Sequence, residues 1–308
     1  DADGEVLRAN GSAVSLLGSR PSAAAALAPV ALQGLVAAAA DGPSVLDIEV
    51  GAPTRVLRGA ARRTGREGQI LLVLRDVTDA ARIDVIRRDF VANASHELKT
   101  PIATIRATAE TLRGAARDDP AAVPGFAKRI EDEAVRLADI VADLLDLSRL
   151  EGGSDLADEV DLAAILRQEC DRVAPAADAA HVELAASVGG SAPLRGNARD
   201  LALLVRNLLD NAVRYSSEGG HVRASLAAED GTVVLCVEDD GEGIPTRDLP
   251  RVFERFYRVD RGRSRETGGT GLGLAIVRHV AENHGGSVRI DSELARGTTV
   301  EVRFPAEP

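Results

Sequence analysis

His96 stands in the run Ser95-His96-Glu97-Leu98-Lys99-Thr100-Pro101, and those neighbours set it apart from an ordinary solvated histidine. Apolar residues around it recur at steps of three and four. At about 100° per residue, His96 therefore points away from the apolar stripe, toward solvent. Thr100 lies one turn along on the same face. Glu97 is adjacent and expected to hydrogen-bond the ring. An imidazole whose Nδ1 proton is held by a carboxylate presents a basic Nε2, a nucleophile suited to attack on phosphorus at neutral pH. Pro101 removes a backbone donor, so a loosened or kinked helix is expected beside the reactive ring.

A second group of residues has the chemistry of a nucleotide site. Asn207, Asn211 and Arg214 share one helical face in Asn207-Leu208-Leu209-Asp210-Asn211-Ala212-Val213-Arg214-Tyr215. Amide oxygens are hard, neutral ligands for a Mg²⁺ that already carries phosphate charge, and an arginine can meet a phosphate oxygen. In Val237-Glu238-Asp239-Asp240-Gly241-Glu242-Gly243-Ile244-Pro245, a buried Asp239 carboxylate can accept from the exocyclic amine of adenine, where guanine offers a carbonyl. Gly241 and Gly243 let backbone approach the base. Gly268-Gly269-Thr270-Gly271-Leu272-Gly273-Leu274 is read as opening a helix whose free N–H groups bind phosphate. It lacks the GK[ST] of a P-loop and follows no βαβ crossover, so neither a Walker nor a Rossmann site fits. Between these segments Arg251, Arg255, Arg258, Arg261, Arg263 and Arg265 face only Glu254 and Asp260, and Phe253, Phe256 and Tyr257 supply an apolar anchor. That stretch reads as a lid over a phosphate tail.

The elements that must hold these groups form three regimes. The chain has 308 residues, 45% of them apolar and 28% charged, enough for two or three domains with real cores. Its net charge of -11 argues against bulk binding to nucleic acid or an anionic membrane, so an anionic ligand needs a local basic site. Cys170 and Cys236 lack metal-ligand spacing and read as reduced, structural thiols. Ala-rich residues 23–40 are interrupted by Pro29, Gln33 and Gly34 and read as soluble helices rather than a membrane span. A chain beginning at Asp1 reads as a fragment, with no signal peptide in it.

Residues 1–78 contain no aromatic residue, His or Cys, and three short strands at 45–50, 54–61 and 69–75 make a small α+β unit. In residues 79–153 the apolar positions Ile83, Ile86, Phe90, Ala94, Leu98, Ile102, Ile105, Ala109 and Leu112 make one amphipathic helix. Gly114, Pro120, Pro124 and Gly125 interrupt it, and Phe126, Ile130, Ala134, Leu137, Val141, Leu144 and Leu147 resume the period. A lone hairpin leaves apolar surface wet, so two copies in a four-helix bundle, a homodimer, are expected. Residues 157–306 mix helices with a hairpin around Glu229-Asp230-Gly231 and a terminal strand pair, an α/β sandwich. The fold class is multi-domain α+β.

The run from Phe90 to Pro101 resembles the phosphoacceptor box of sensor histidine kinases, and the later segments are similar to their N, G1, F and G2 boxes, with Gly297-Thr298-Thr299 like the last G box. The resemblance covers about residues 80–306. It implies a dimerisation and histidine-phosphotransfer hairpin followed by a Bergerat-type ATP-binding domain. It also implies that His96 is phosphorylated, that Glu97 is its acid/base partner, and that Thr100 orients water for dephosphorylation of a partner. Asn211 would bind Mg²⁺ with Asn207 beside it, Asp239 would read adenine, and Tyr215 and Ile244 would lie near the base. Gly269, Thr270, Gly271, Leu272, Gly273 and Thr298 would complete the ATP site. Arg258 and the arginines after it would stabilise the γ-phosphate.

Residues 1–78 look like a PAS sensor or relay domain, which without His or Cys cannot ligate haem through those side chains or form a flavin–cysteinyl adduct. The general pattern is similar to actinobacterial phosphate-responsive kinases. The function implied is transfer of the γ-phosphate of ATP to His96 and on to an aspartate of a response regulator receiver domain. The chain would be the cytoplasmic portion of a bacterial inner-membrane sensor, meeting the membrane only through segments outside it and binding no nucleic acid. The alternatives are a Bergerat-fold ATPase, with no reason to carry the His96 hairpin, and a nucleotide-gated interaction scaffold.

Overall fold

The strand-forming runs of the first eighty positions pair as an antiparallel sheet: β1 (Ser44–Val50), β2 (Arg55–Arg63) and β3 (Ile70–Asp76), in the order β1-β2-β3. The structure, a computed structural model, describes residues 6–17, 30–39, 41–51, 54–66, 68–152, 156, 158–229, 231–259 and 269–305. Helix α1 (Gly11–Leu17) and helix α2 (Val30–Ala38) precede the sheet; residues 18–29 of the Ala-rich stretch lie outside the described residues. Leu32, Leu35 and Val36 of α2 bury against Ile48, Leu57 and Ala61. Gly59 permits this packing, since a Cβ there would sit 2.7 Å from Leu35 Cδ2. Residues 1–92 and 93–308 form two compact units.

Helix α3 (Thr78–Asp118) opens where Asp76 Oδ1 accepts from the Thr78 N–H at 2.9 Å, an Asx-type start. Its course corrects one expectation: Gly114 does not end it, and Pro101 lies within it. An exposed glycine costs a helix only about 1 kcal/mol relative to alanine, too little to overrule a long periodic segment. The break comes at Pro120, in a 3₁₀ turn of residues Pro120–Ala122. Helix α4 (Val123–Glu151) follows, with Pro124 and Gly125 in its first turn, where a missing N–H is harmless. Along this hairpin Ile102, Val135, Val141 and Leu145 remain exposed.

The rest of the second unit contains β4 (Asp158–Asp161), α5 (Leu162–Ala179), β5 (Glu183–Val188), β6 (Pro193–Gly196), α6 (Ala198–Tyr215), β7 (His221–Glu229), β8 (Thr232–Asp239), α7 (Gly273–Asn283), β9 (Ser287–Glu293) and β10 (Gly297–Pro305). Five strands form one sheet in the order β5-β7-β8-β10-β9, with only β5–β7 parallel, and β4 pairs with β6. Alternation along β8 buries Val233, Leu235 and Val237. Leu201, Leu204, Leu208, Ile276, Val280 and Phe304 are fully or almost fully buried in the same unit. Asn197 caps α6 by accepting from the N–H groups of Arg199 and Asp200, a cap worth about 1 kcal/mol. Cys170 is buried, Cys236 half-buried, and both are free thiols. Among the described residues no helix is long and apolar enough to cross a membrane.

Candidate active site

A cavity of about 730 Å³ lies between α6, the end of β8, the loop before α7 and α4. Asn207, Asn211, Arg214 and Tyr215 reach it from α6, and their i, i+4, i+7, i+8 spacing is why one face supplies them all. Asp239, Gly243, Ile244, Arg258, Gly269, Thr270, Gly271, Gly273 and Thr298 also line it. The cavity therefore gathers residues expected from five separate segments. Gly241 and Leu272 support it from behind, both buried, and Leu272 N donates to Thr270 Oγ1 at 3.2 Å. Helix α7 begins only at Gly273, so the glycines before it form a loop, not the first helical turn.

Asp239 lines the cavity at the end of β8. Its Oδ1 accepts from the N–H groups of Gly241 at 3.0 Å and Thr298 at 3.2 Å. Burial nevertheless pushes its carboxyl up to about 6, outweighing those two hydrogen bonds. Thr298 is held by Ser292, whose Oγ lies 2.9 Å from Thr298 Oγ1 and accepts from Ile244 N at 2.8 Å. Ser292 ties both rims of the pocket together, and nothing in the local sequence marks it. Gly273 leaves room for the asparagines: a Cβ there would meet Asn207 Oδ1 at 2.7 Å and Asn211 Nδ2 at 3.4 Å. Asn207 Nδ2 donates back to Leu203 O at 2.9 Å, which turns its carbonyl oxygen toward that space.

His96 is exposed, with 69% of its side chain accessible, as its helical phase predicts. The expected hydrogen bond to Glu97 is absent: Nδ1 and Oε1 are 3.9 Å apart. Successive helical residues diverge by about 100°, so adjacent side chains do not face one another. Glu97 instead faces Arg136 Nη2 at 3.8 Å and Arg258 Nη1 at 4.0 Å. Thr100 Oγ1 donates to the His96 carbonyl at 3.3 Å, so its hydroxyl is turned to the backbone rather than to the ring.

The arginine-rich segment is less free than its sequence suggests. Arg251 pairs with Glu254 at 3.0 Å and stacks over Tyr257 at 4.3 Å, and Arg255 pairs with Glu151 at 2.7 Å. Phe256 is buried at φ 62°, and its N–H donates to Gly271 O at 2.8 Å, anchoring the segment to the glycine loop. Arg261, Arg263 and Arg265 lie outside the described residues.

Residues 86–153 match the His Kinase A (phospho-acceptor) domain, and residues 196–308 match the family described as histidine kinase-, DNA gyrase B-, and HSP90-like ATPase. The sensor-like histidine kinase SenX3 of Mycolicibacterium smegmatis is 43% identical over 235 residues, which is 76% of this chain and 61% of that protein. The solved mycobacterial sensor histidine kinase MprB is 32% identical, covers 49% of this chain and is itself covered over 99%, with a TM-score of 0.44. The chain belongs to the sensor histidine kinases. It spans about 61% of the length of SenX3. A structure of histidine kinase ThkA in complex with response regulator protein TrrA is 17% identical, with a TM-score of 0.58 over 99% of this chain and 94% of that one, a likeness of fold.

In this sensor histidine kinase, α4 adds residues that motif reading missed. Asp139, Asp143 and Asp146 project from it into the cavity. Thr270 Oγ1 donates to Asp143 Oδ2 at 2.6 Å, and burial, first among its influences, raises the Asp143 carboxyl above its usual range. Arg149 Nη1 meets Asp200 Oδ1 at 2.6 Å, and Asn283 Nδ2 donates to Leu150 O at 3.3 Å. Their apolar neighbours on α4 make them look like ordinary polar positions of an amphipathic helix. Only the position of the cavity gives them a role.

Proposed function

We propose that the chain is the ATP-dependent protein-histidine kinase portion of a two-component sensor, moving the γ-phosphate of ATP to His96 and then to an aspartate of a response regulator. One observation carries it: Arg258 lines the cavity and lies 4.0 Å from Glu97, the neighbour of an exposed histidine. Asp239 Oδ1 is held by backbone, so Oδ2 is the oxygen for adenine's amine. Tyr215 and Ile244 flank the base, and Arg214 with the Gly269–Gly273 loop holds the phosphates. Asn211, with Asn207 beside it, would hold Mg²⁺, which neutralises phosphate charge when bound.

In the transfer, His96 Nε2 attacks the γ-phosphorus as the bond to the β–γ bridging oxygen breaks, its electron pair leaving on ADP. The ring then sheds its Nδ1 proton to Glu97, which must close the 3.9 Å gap. Thr100 would orient water for dephosphorylation of the regulator. The complex of ThkA with the response regulator protein TrrA supports a receiver partner for this chain. Exposed Ile102, Val135, Val141 and Leu145 support a homodimer that buries them in a four-helix bundle. Residues 1–78 would be a PAS-like relay, 79–153 the hairpin and 157–306 the catalytic domain, beneath a membrane anchor outside this chain. Incubation with γ-labelled ATP and Mg²⁺ should yield protein label that is acid-labile and base-stable and passes to a receiver domain. ATP hydrolysis without labelled protein would instead favour a Bergerat-fold ATPase.

Two further outcomes follow. Asp239 is the stronger acceptor when ionised, and a proton on Oδ2 would face the amine as a second donor, so with its carboxyl at about 6, nucleotide affinity should rise with pH through that value. Calorimetric titration with ADP should show binding about tenfold weaker at pH 5 than at pH 7; a flat profile would detach Asp239 from the base. Asp143→Ala releases Thr270 and removes an acidic group beside the phosphate loop. A non-hydrolysable ATP analogue should then bind about fivefold more tightly, the equivalent of about 1 kcal/mol of lost repulsion. Unchanged or weaker binding would contradict that repulsion.

A further inference from the structure

Arg136 is a charged residue in a place that offers it little. It lies one turn before Asp139 on α4, is 8% exposed, and its Nε is buried with no hydrogen-bond partner among the described residues. Its one ion pair among the described residues, to Glu97 Oε2, spans 3.8 Å, beyond hydrogen-bonding distance. Glu97 is at the same time within 4.0 Å of Arg258, whose side chain is 7% exposed. One carboxylate is thus shared by two buried guanidiniums. Arg258 is held below its ordinary value by burial first and by Arg136 second, with Arg214 adding to the same effect. Arg214 and Arg258 both line the cavity, so arginines lead from the nucleotide toward the histidine.

Burying a guanidinium is costly unless an anion meets it, and bringing a second beside it adds repulsion. Hydrophobic packing alone would be served better by a leucine at 136. A planar fork with a spare N–H suits the oxygens of a phosphoryl group. We propose that Arg136 is a catalytic residue for phosphotransfer, forming with Arg258 a subsite beside Glu97 that receives the γ-phosphate on its way to His96. This rests on the histidine-kinase reading above. As the bond to the bridging oxygen breaks and the bond to His96 Nε2 forms, the equatorial oxygens stay paired with the two arginines. Their charge also keeps Glu97 turned toward the site until it takes the ring proton.

The test uses Arg136→Gln and Arg136→Lys in the full 308-residue chain, comparing the affinity of a non-hydrolysable ATP analogue with that of ADP. The affinity ratio of analogue to ADP should fall about tenfold in Arg136→Gln with ADP binding unchanged, and Arg136→Lys should recover most of it. Labelling of His96 at saturating ATP should fall about a hundredfold in Arg136→Gln, the size seen when one preorganised donor is lost. An unchanged ratio and unchanged labelling would overturn the subsite. So would equal defects in both variants accompanied by a lowered melting temperature, which marks a structural role. Wild-type chain that binds the analogue but never labels His96 would instead overturn the kinase reading, and this one with it.

Discussion

His96→Gln should take up no label from γ-labelled ATP, a loss of at least about a thousandfold, while binding ADP and ATP within about twofold of the parent. The amide nitrogen of glutamine has its lone pair delocalised into the carbonyl and cannot attack phosphorus, so no residual nucleophile remains at the position. The ring does not line the cavity, and 69% of it is accessible, so little packing is lost. Stability should change by no more than about 0.5 kcal/mol. Acid-labile label at parental levels in this variant would move the phosphoacceptor elsewhere and remove the reason for the hairpin.

Asn211→Ala should separate base binding from phosphate chemistry. Asn211 lies on the face of α6 that looks across to Gly273, while Asp239 lines the cavity from the end of β8. Labelling of His96 should fall about a hundred- to a thousandfold, the range for losing one stabiliser of developing charge. Mg²⁺ should no longer strengthen ATP binding, whereas ADP affinity in chelator should be unchanged; a retained Mg²⁺ effect would place the metal elsewhere. The two variants also report on the path of the phosphoryl group. Arg258 reaches Glu97 of its own chain, so mixed dimers of His96→Gln and Asn211→Ala chains should stay unlabelled. Label on the Asn211→Ala chain would show transfer between subunits instead.

The exposure of His96, the shared face of Asn207, Asn211 and Arg214, the β7–β8 hairpin and the two-helix hairpin are all legible along the chain. Each is a local property: a helical phase, an i, i+4, i+7 spacing, or a turn whose residues are adjacent. The errors are local too. Glu97 adjacent to His96 looked hydrogen-bonded to its ring, but adjacency on a helix separates side chains and leaves a 3.9 Å gap. Gly114 looked like a stop, but one exposed glycine costs less than the surrounding turns supply.

What sequence alone determined is which faces carry chemistry and in what order the nucleotide segments come. Tertiary structure decided what those faces meet: Thr270 on Asp143, 127 residues away in the chain, Arg149 on buried Asp200, and Arg136 with Arg258 on one carboxylate. A hydrophobic period says only that a helix has an inside and an outside. Partners brought together by folding leave no trace in it, because their attraction depends on distance in space and on burial, neither of which spacing along the chain encodes.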